Sequence, residues 1–196
     1  MNVSTPIPKR VWLTLPNILT GIRILLIPLI VGMFYIPLGL GNIIACVLFA
    51  IAGITDSLDG FFARRLGQSS ALGAFLDPVA DKLIVATALV LIVSRDHVWY
   101  VTLTAAIIIG REIAISALRE WMAEIGARRK VAVSMLGKFK TITQIVGLSM
   151  MLYAQDLLGL PIYWLGLGMT ILAAILTLWS MLLYLRAAWP DLRQGA

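Results

Sequence analysis

Long apolar runs alternate with short polar interruptions along the chain. The runs Ile18–Ile36, Asn42–Phe62, Gly73–Val93, Trp99–Leu118, Val131–Tyr153 and Pro161–Tyr184 each approach the ~20 residues that a helix needs to cross a bilayer. The pattern predicts an all-α, polytopic protein of six transmembrane helices, with neighbours antiparallel because the connections are short. Turn residues mark one set of ends at 37–41, at Arg95-Asp96-His97, and at Gln155-Asp156 with Gly159 and Pro161. Leu66-Gly67-Gln68-Ser69-Ser70 and Gly126 to Lys130 mark the other set.

Basic residues give the orientation. Lys9, Arg10, Arg64, Arg65, Arg128, Arg129, Lys130 and Arg193 fall on one side, and Arg95 falls on the other. The positive-inside rule therefore places both termini in the cytoplasm. Trp99, Tyr100, Tyr163 and Trp164 stand near span ends, where an interfacial aromatic belt is expected. Residues 1–16 lack the features of a removable signal peptide and read as an interfacial segment leading into one membrane domain covering 1–196.

Composition narrows the class further. The 196 residues are 60% hydrophobic and only 13% charged, against about 45–50% and about 25% for soluble domains. The net charge of +6 carries no aromatic interleaving, so anionic lipid headgroups fit it better than nucleic acid. The single cysteine, Cys46, lies in an apolar run and leaves no disulfide framework.

Four aspartates break this background: Asp56, Asp59, Asp77 and Asp81. An aspartate near a helix centre costs roughly 2.5–3.5 kcal/mol, so four uncompensated ones cost on the order of 10 kcal/mol. On a helix Asp56 and Asp59 are about 60° apart in azimuth, and Asp77 and Asp81 about 40°. Each pair thus shares a face, one closing the second span and the other opening the third. Oxygen donors without a nearby histidine or thiolate suit a hard cation, Mg²⁺ or Mn²⁺, in one or two copies. Zinc is disfavoured because His97 and Cys46 lie elsewhere. Gly60, Ala63 and Gly73 leave room for a large ligand beside the carboxylates, and Arg64 supplies a forked donor suited to phosphate. Two rival readings use the same residues: a structural ion cluster with Arg64, Arg65 and Lys82, and a pathway for protons or divalent cations.

The pattern Asp56-x2-Asp59-Gly60-x2-Ala63-Arg64-x8-Gly73-x3-Asp77-x3-Asp81 resembles the signature of the CDP-alcohol phosphatidyltransferases at each of its eight fixed positions. That resemblance implies six helices, a membrane-embedded homodimer and two divalent metals per subunit. It implies that Asp56, Asp59, Asp77 and Asp81 ligate metal, that Asp81 is also the general base, and that CMP leaves. Gly60, Ala63, Arg64 and Ser70, with Asn17, would hold CDP-diacylglycerol, whose acyl chains stay in the bilayer. For Asn17 and Thr20, ordinary helix capping is an equal alternative.

The acceptor must be read elsewhere. Arg111 lies within the fourth span, and Lys138 and Lys140 open the fifth in Gly137-Lys138-Phe139-Lys140-Thr141. Cations so placed call for an anionic partner, and a phosphate-bearing acceptor supplies one where serine does not. Glu112, about 100° from Arg111 in azimuth, reads as a poor internal match for it. A structural alternative has Lys140 snorkelling and Arg111 paired with a cluster aspartate or with Glu112 on a neighbouring helix. The stretches 15–23, 117–126 and 137–141 resemble the family branch that makes phosphatidylglycerophosphate in the bacterial inner membrane. This implies glycerol 3-phosphate as acceptor, held by Arg111, Lys138 and Lys140, with Thr20 and Arg23 close to a substrate phosphate. Inositol phosphate and serine are the alternative acceptors within the same chemistry.

Other motifs read as structural. Gly166-x-Gly168 and Gly39-x-Gly41 lack a strand–turn–helix context and fit packing or span ends. Ser94, Asp96 and His97 are too close in sequence for a triad. Arg119, Glu120 and Glu124 read as surface pairs on an extension of the fourth helix.

Overall fold

A computed structural model describes residues 15–37, 39–66, 71–125 and 135–194. Six helices follow in order: α1 Leu15–Phe34, α2 Leu40–Leu66, α3 Ala71–Asp96, α4 Trp99–Glu124, α5 Met135–Tyr153 and α6 Ile162–Gln194. Each expected span has its helix. The helices outrun the apolar runs, α4 reaching Glu124 instead of Leu118 and α6 reaching Gln194 instead of Tyr184. Backbone hydrogen bonding does not stop where hydrophobicity does; a helix that leaves the hydrocarbon continues until the chain must turn.

Of the six, Asn17–Phe34 in α1, Trp99–Glu124 in α4 and Ile162–Arg186 in α6 are long and apolar enough by themselves to cross a membrane. The other three helices carry most of the acidic and basic side chains discussed above, which dilutes their apolar character. The outer surface is nevertheless greasy. Leu25, Phe75, Ile113 and Ile142 are all more than 60% exposed, as lipid-facing side chains are. Together these features make the chain an all-α membrane protein.

The packing forms a closed ring. α1 touches α2, α2 touches α5, α5 touches α6, α6 touches α4, α4 touches α3, and α3 returns to α1. α3 also contacts α2 and α5 across the interior. The apolar core, including Ile30, Phe49, Ile84, Ile108, Leu148 and Leu167, draws on all six helices. Small residues permit the closest crossings. A Cβ on Gly147 would lie 2.6 Å from Thr170 Oγ1, and one on Gly166 would lie 2.7 Å from the Gly147 carbonyl oxygen. Gly166 is therefore a packing glycine, as expected, whereas Gly168 faces open space.

The ends of α1, α3 and α5 meet the starts of α2, α4 and α6. Gln155 donates to the Gly39 carbonyl at 3.1 Å and so ties two of the turns together. Gly39 has φ +64°, a conformation that glycine adopts without a side-chain clash. Trp99 and Trp164 are exposed at this end, as an aromatic belt requires.

Candidate active site

The first aspartate subsite is built by α1, α2 and α3. Thr20 and Arg23 are three residues apart on α1, so they share the face turned toward the carboxylate-bearing helices. Both side chains are fully buried. Arg23 Nη1 lies 2.8 Å from Asp56 Oδ1, and the Thr20 hydroxyl donates to Asp77. Arg23 also acts electrostatically on Asp81, and Asp56 interacts with both Asp77 and Asp81. Three carboxylates from two helices thus share one field. Asn17 lies on the same helix, one turn before Thr20.

Pro78 follows Asp77 inside α3. Lacking an N–H, it cannot bond to the carbonyl of residue 74, which leaves the helix locally under-bonded beside the aspartate. Asp59, Gly60, Ala63 and Arg64 are carried by α2, but with Ser70 and Lys138 they lie outside the residues whose side chains are described. Among the described residues no three metal-ligating groups close into a site. The donor chemistry still fits a divalent ion: Asp56, Asp77 and Asp81 offer hard oxygens whose combined charge exceeds that of Arg23.

The second subsite opens beside Asp81. A cavity of about 200 Å³ is lined by Asp81 and Lys82 from α3, Arg111, Glu112 and Arg119 from α4, Lys140 and Gln144 from α5, and Ser180 and Tyr184 from α6. Arg111 and Lys140, the cations expected to hold the acceptor, therefore meet here. Thr20 and Arg23 do not line this cavity; they meet the aspartates instead.

Two expectations are corrected in this region. Glu112 is not a poor match for Arg111: its Oε1 lies 2.9 Å from Arg111 Nη1 and 2.7 Å from Lys140 Nζ. Azimuth at the Cα underestimates how far two long side chains can bend toward a shared partner, and Lys140 on α5 supplies that partner. Arg119, expected as a surface residue, instead donates to the Tyr184 hydroxyl at 3.2 Å and lies 5.3 Å from that ring's centroid. Arg111 Nη2 also donates to Ser180 Oγ at 2.9 Å.

The residues missed were Glu112, Arg119, Gln144, Ser180 and Tyr184. A signal for them existed. Thr177, Ser180 and Tyr184 make a polar stripe at i, i+3 and i+7 on the otherwise apolar α6, and Lys140, Thr141 and Gln144 make another on α5.

A helical membrane bundle that holds half-buried carboxylates beside a cationic cavity is suited to a charged headgroup. Residues 13–185 match the family model for CDP-alcohol phosphatidyltransferase, and the chain belongs to that family. It is 51% identical over 178 residues to proteins named CDP-diacylglycerol–glycerol-3-phosphate 3-phosphatidyltransferase from Salmonella choleraesuis strain SC-B67, Shigella flexneri and Escherichia coli strain K12. Each alignment covers 91% of this chain and 96% of the relative.

Proposed function

We infer that this chain transfers a phosphatidyl group from CDP-diacylglycerol to sn-glycerol 3-phosphate, giving phosphatidylglycerophosphate and CMP. The relatives' names support both substrates. The observation that carries the acceptor is the charge of the cavity beside Asp81. Four cations (Lys82, Arg111, Arg119 and Lys140) and two carboxylates (Asp81 and Glu112) line it, an excess of two positive charges. A phosphomonoester near neutral pH carries about −1.5 to −2, which complements that excess. Serine, with no net charge, does not.

The chemistry follows from the placement. The acceptor hydroxyl attacks the phosphorus that bears the diacylglycerol, a new P–O bond forms, and the bond to the CMP oxygen breaks. Asp81 borders both subsites and takes the hydroxyl proton, while Arg111 and Lys140, with Lys138, hold the acceptor phosphate. Asn17, Gly60, Ala63, Arg64 and Ser70 hold the donor. Thr20 and Arg23 fix the orientation of Asp77 and Asp56. Asp56, Asp59, Asp77 and Asp81 would bind two Mg²⁺ or Mn²⁺ ions, which would neutralise the pyrophosphate and the departing phosphate oxygen. An apolar crevice of about 180 Å³ between α3 and α4 shares Lys82, Val85 and Glu112 with the polar cavity, so lipid and headgroup surfaces adjoin. The reading includes a homodimer, by family relationship, in the bacterial inner membrane. Both termini and the site face the cytoplasm, in keeping with the basic residues of the connections.

CMP release from CDP-diacylglycerol tests this directly, with purified protein, Mg²⁺, Mn²⁺ or EDTA, and glycerol 3-phosphate, inositol phosphate or serine in parallel. The expected result is metal-dependent release with glycerol 3-phosphate alone. Release with another acceptor would move the specificity. No release from folded protein, together with metal flux into sealed vesicles, would replace the enzyme with a cation transporter.

A further inference from the structure

The two cations best placed for the acceptor phosphate already have an anion. Glu112 Oε1 bonds both Arg111 Nη1 and Lys140 Nζ, at 2.9 and 2.7 Å. Those cations are only 8% and 4% exposed, whereas the Glu112 side chain is 27% exposed and borders the cavity. The anion is thus the accessible member of the trio and the cations its buried frame. Arg111 is held from behind by Ser180, which itself donates to the Thr177 carbonyl at 2.9 Å.

We propose that Glu112 is a displaceable internal counter-ion that sets a minimum charge on the acceptor. This rests on the acceptor reading above. With the cavity empty, Glu112 offsets one of the two buried positive charges, which would otherwise be costlier to keep. A monoanion that displaced it would exchange one negative charge for another and still lose the desolvation cost of its own headgroup. A phosphomonoester brings nearly two charges and three terminal oxygens. It can give one terminal oxygen to Arg111 Nη1 and another to Lys140 Nζ, where Glu112 offers a single oxygen to both. Selection for a dianionic acceptor thus comes from competition with a residue of the chain, as well as from attraction.

The test is Glu112→Gln, which keeps the shape and removes the charge. Steady-state CMP release is measured against glycerol 3-phosphate, with inorganic phosphate and glycerate (a monocarboxylate of similar size) as competitors. In the wild type, phosphate competes and glycerate does not. In E112Q the KM for glycerol 3-phosphate falls several-fold, and glycerate becomes a competitive inhibitor with at least about tenfold gain in affinity. Thermal stabilisation of the purified protein by phosphate or glycerate gives a second readout without turnover, and Glu112→Ala checks it in another variant. A raised KM in E112Q, or glycerate inhibition unchanged from the wild type, would overturn the proposal, since Glu112 would then merely brace its cations. Failure of the wild type to use glycerol 3-phosphate would instead overturn the acceptor reading, so the two failures are distinguishable.

Discussion

Among the described residues two adjacent arginine–acid pairs, Arg95-Asp96 and Arg111-Glu112, form ion pairs. Their surroundings differ. Arg95 lies 5.8 Å from the Phe34 ring centroid and 5.5 Å from that of Tyr163. It donates to Asp96 at 2.7 Å and to the Met151 carbonyl at 3.1 Å, and Tyr163 donates to the other Asp96 oxygen. The result is a plug that joins the ends of α1, α3 and α5 to the start of α6. Arg111 is instead held from one side by Ser180, while its carboxylate faces a cavity. The difference lies in the acids: Asp96 is 11% exposed and held by both Arg95 and Tyr163, whereas Glu112 is 27% exposed and faces the cavity. Dipeptide chemistry alone does not decide between these settings.

The comparison breaks most sharply at Asp81, which borders the open region and has no counterpart in the plug. Asp81→Asn should lower CMP release by about 10³-fold, the range in which removal of a general base falls. Donor binding should survive, because the other aspartates remain. Near-normal turnover in the folded variant would take the proton-acceptor role away from Asp81.

Next in size is the exchange of outcomes between the two arginines. Arg111→Ala should raise the KM for glycerol 3-phosphate on the order of 10²-fold, since truncating a buried charged contact costs about 2–5 kcal/mol. Arg95→Ala should leave that KM unchanged and lower the thermal midpoint by several degrees, because it strips Asp96 of its partner and two rings of their cation. If Arg95→Ala shifts the KM as strongly as Arg111→Ala, the ends of the bundle are coupled and the division into plug and site is wrong.

Much of this is legible in the sequence, for physical reasons. The six helices follow from apolar run length, which the bilayer dictates. The aspartates stand out because charge in lipid is costly, and the structure brings Asp56, Asp77 and Asp81 into one electrostatic neighbourhood. Arg111 and Lys140 were legible on the same ground, and they do meet. What escaped were contacts between helices distant in sequence. Arg119 with Tyr184 and Lys140 with Glu112 span 65 and 28 residues. Periodicity gives the face a residue occupies but not the helix that covers it. Here α4 and α5 meet through a shared cavity, and α6 packs on both.

The smallest effect probes the plug itself. Tyr163→Phe removes the hydroxyl that donates to Asp96 but keeps the ring that Arg95 faces. Hydrogen bonds between membrane helices average about 0.6 kcal/mol, because a helix released into the bilayer finds other partners. A bond to a carboxylate as covered as that of Asp96 belongs near the upper end, about 1–2 kcal/mol. The variant should therefore lose a small but measurable part of its stability in denaturant titrations, with both substrate KM values unchanged. Combining it with Arg95→Ala sharpens the point. If Asp96 is held by both groups together, the double variant should lose less than the sum of the two, since the first substitution already frees the carboxylate. Strict additivity would mean that the tyrosine and the arginine act on Asp96 independently, and the plug would then be two separate contacts that share a residue.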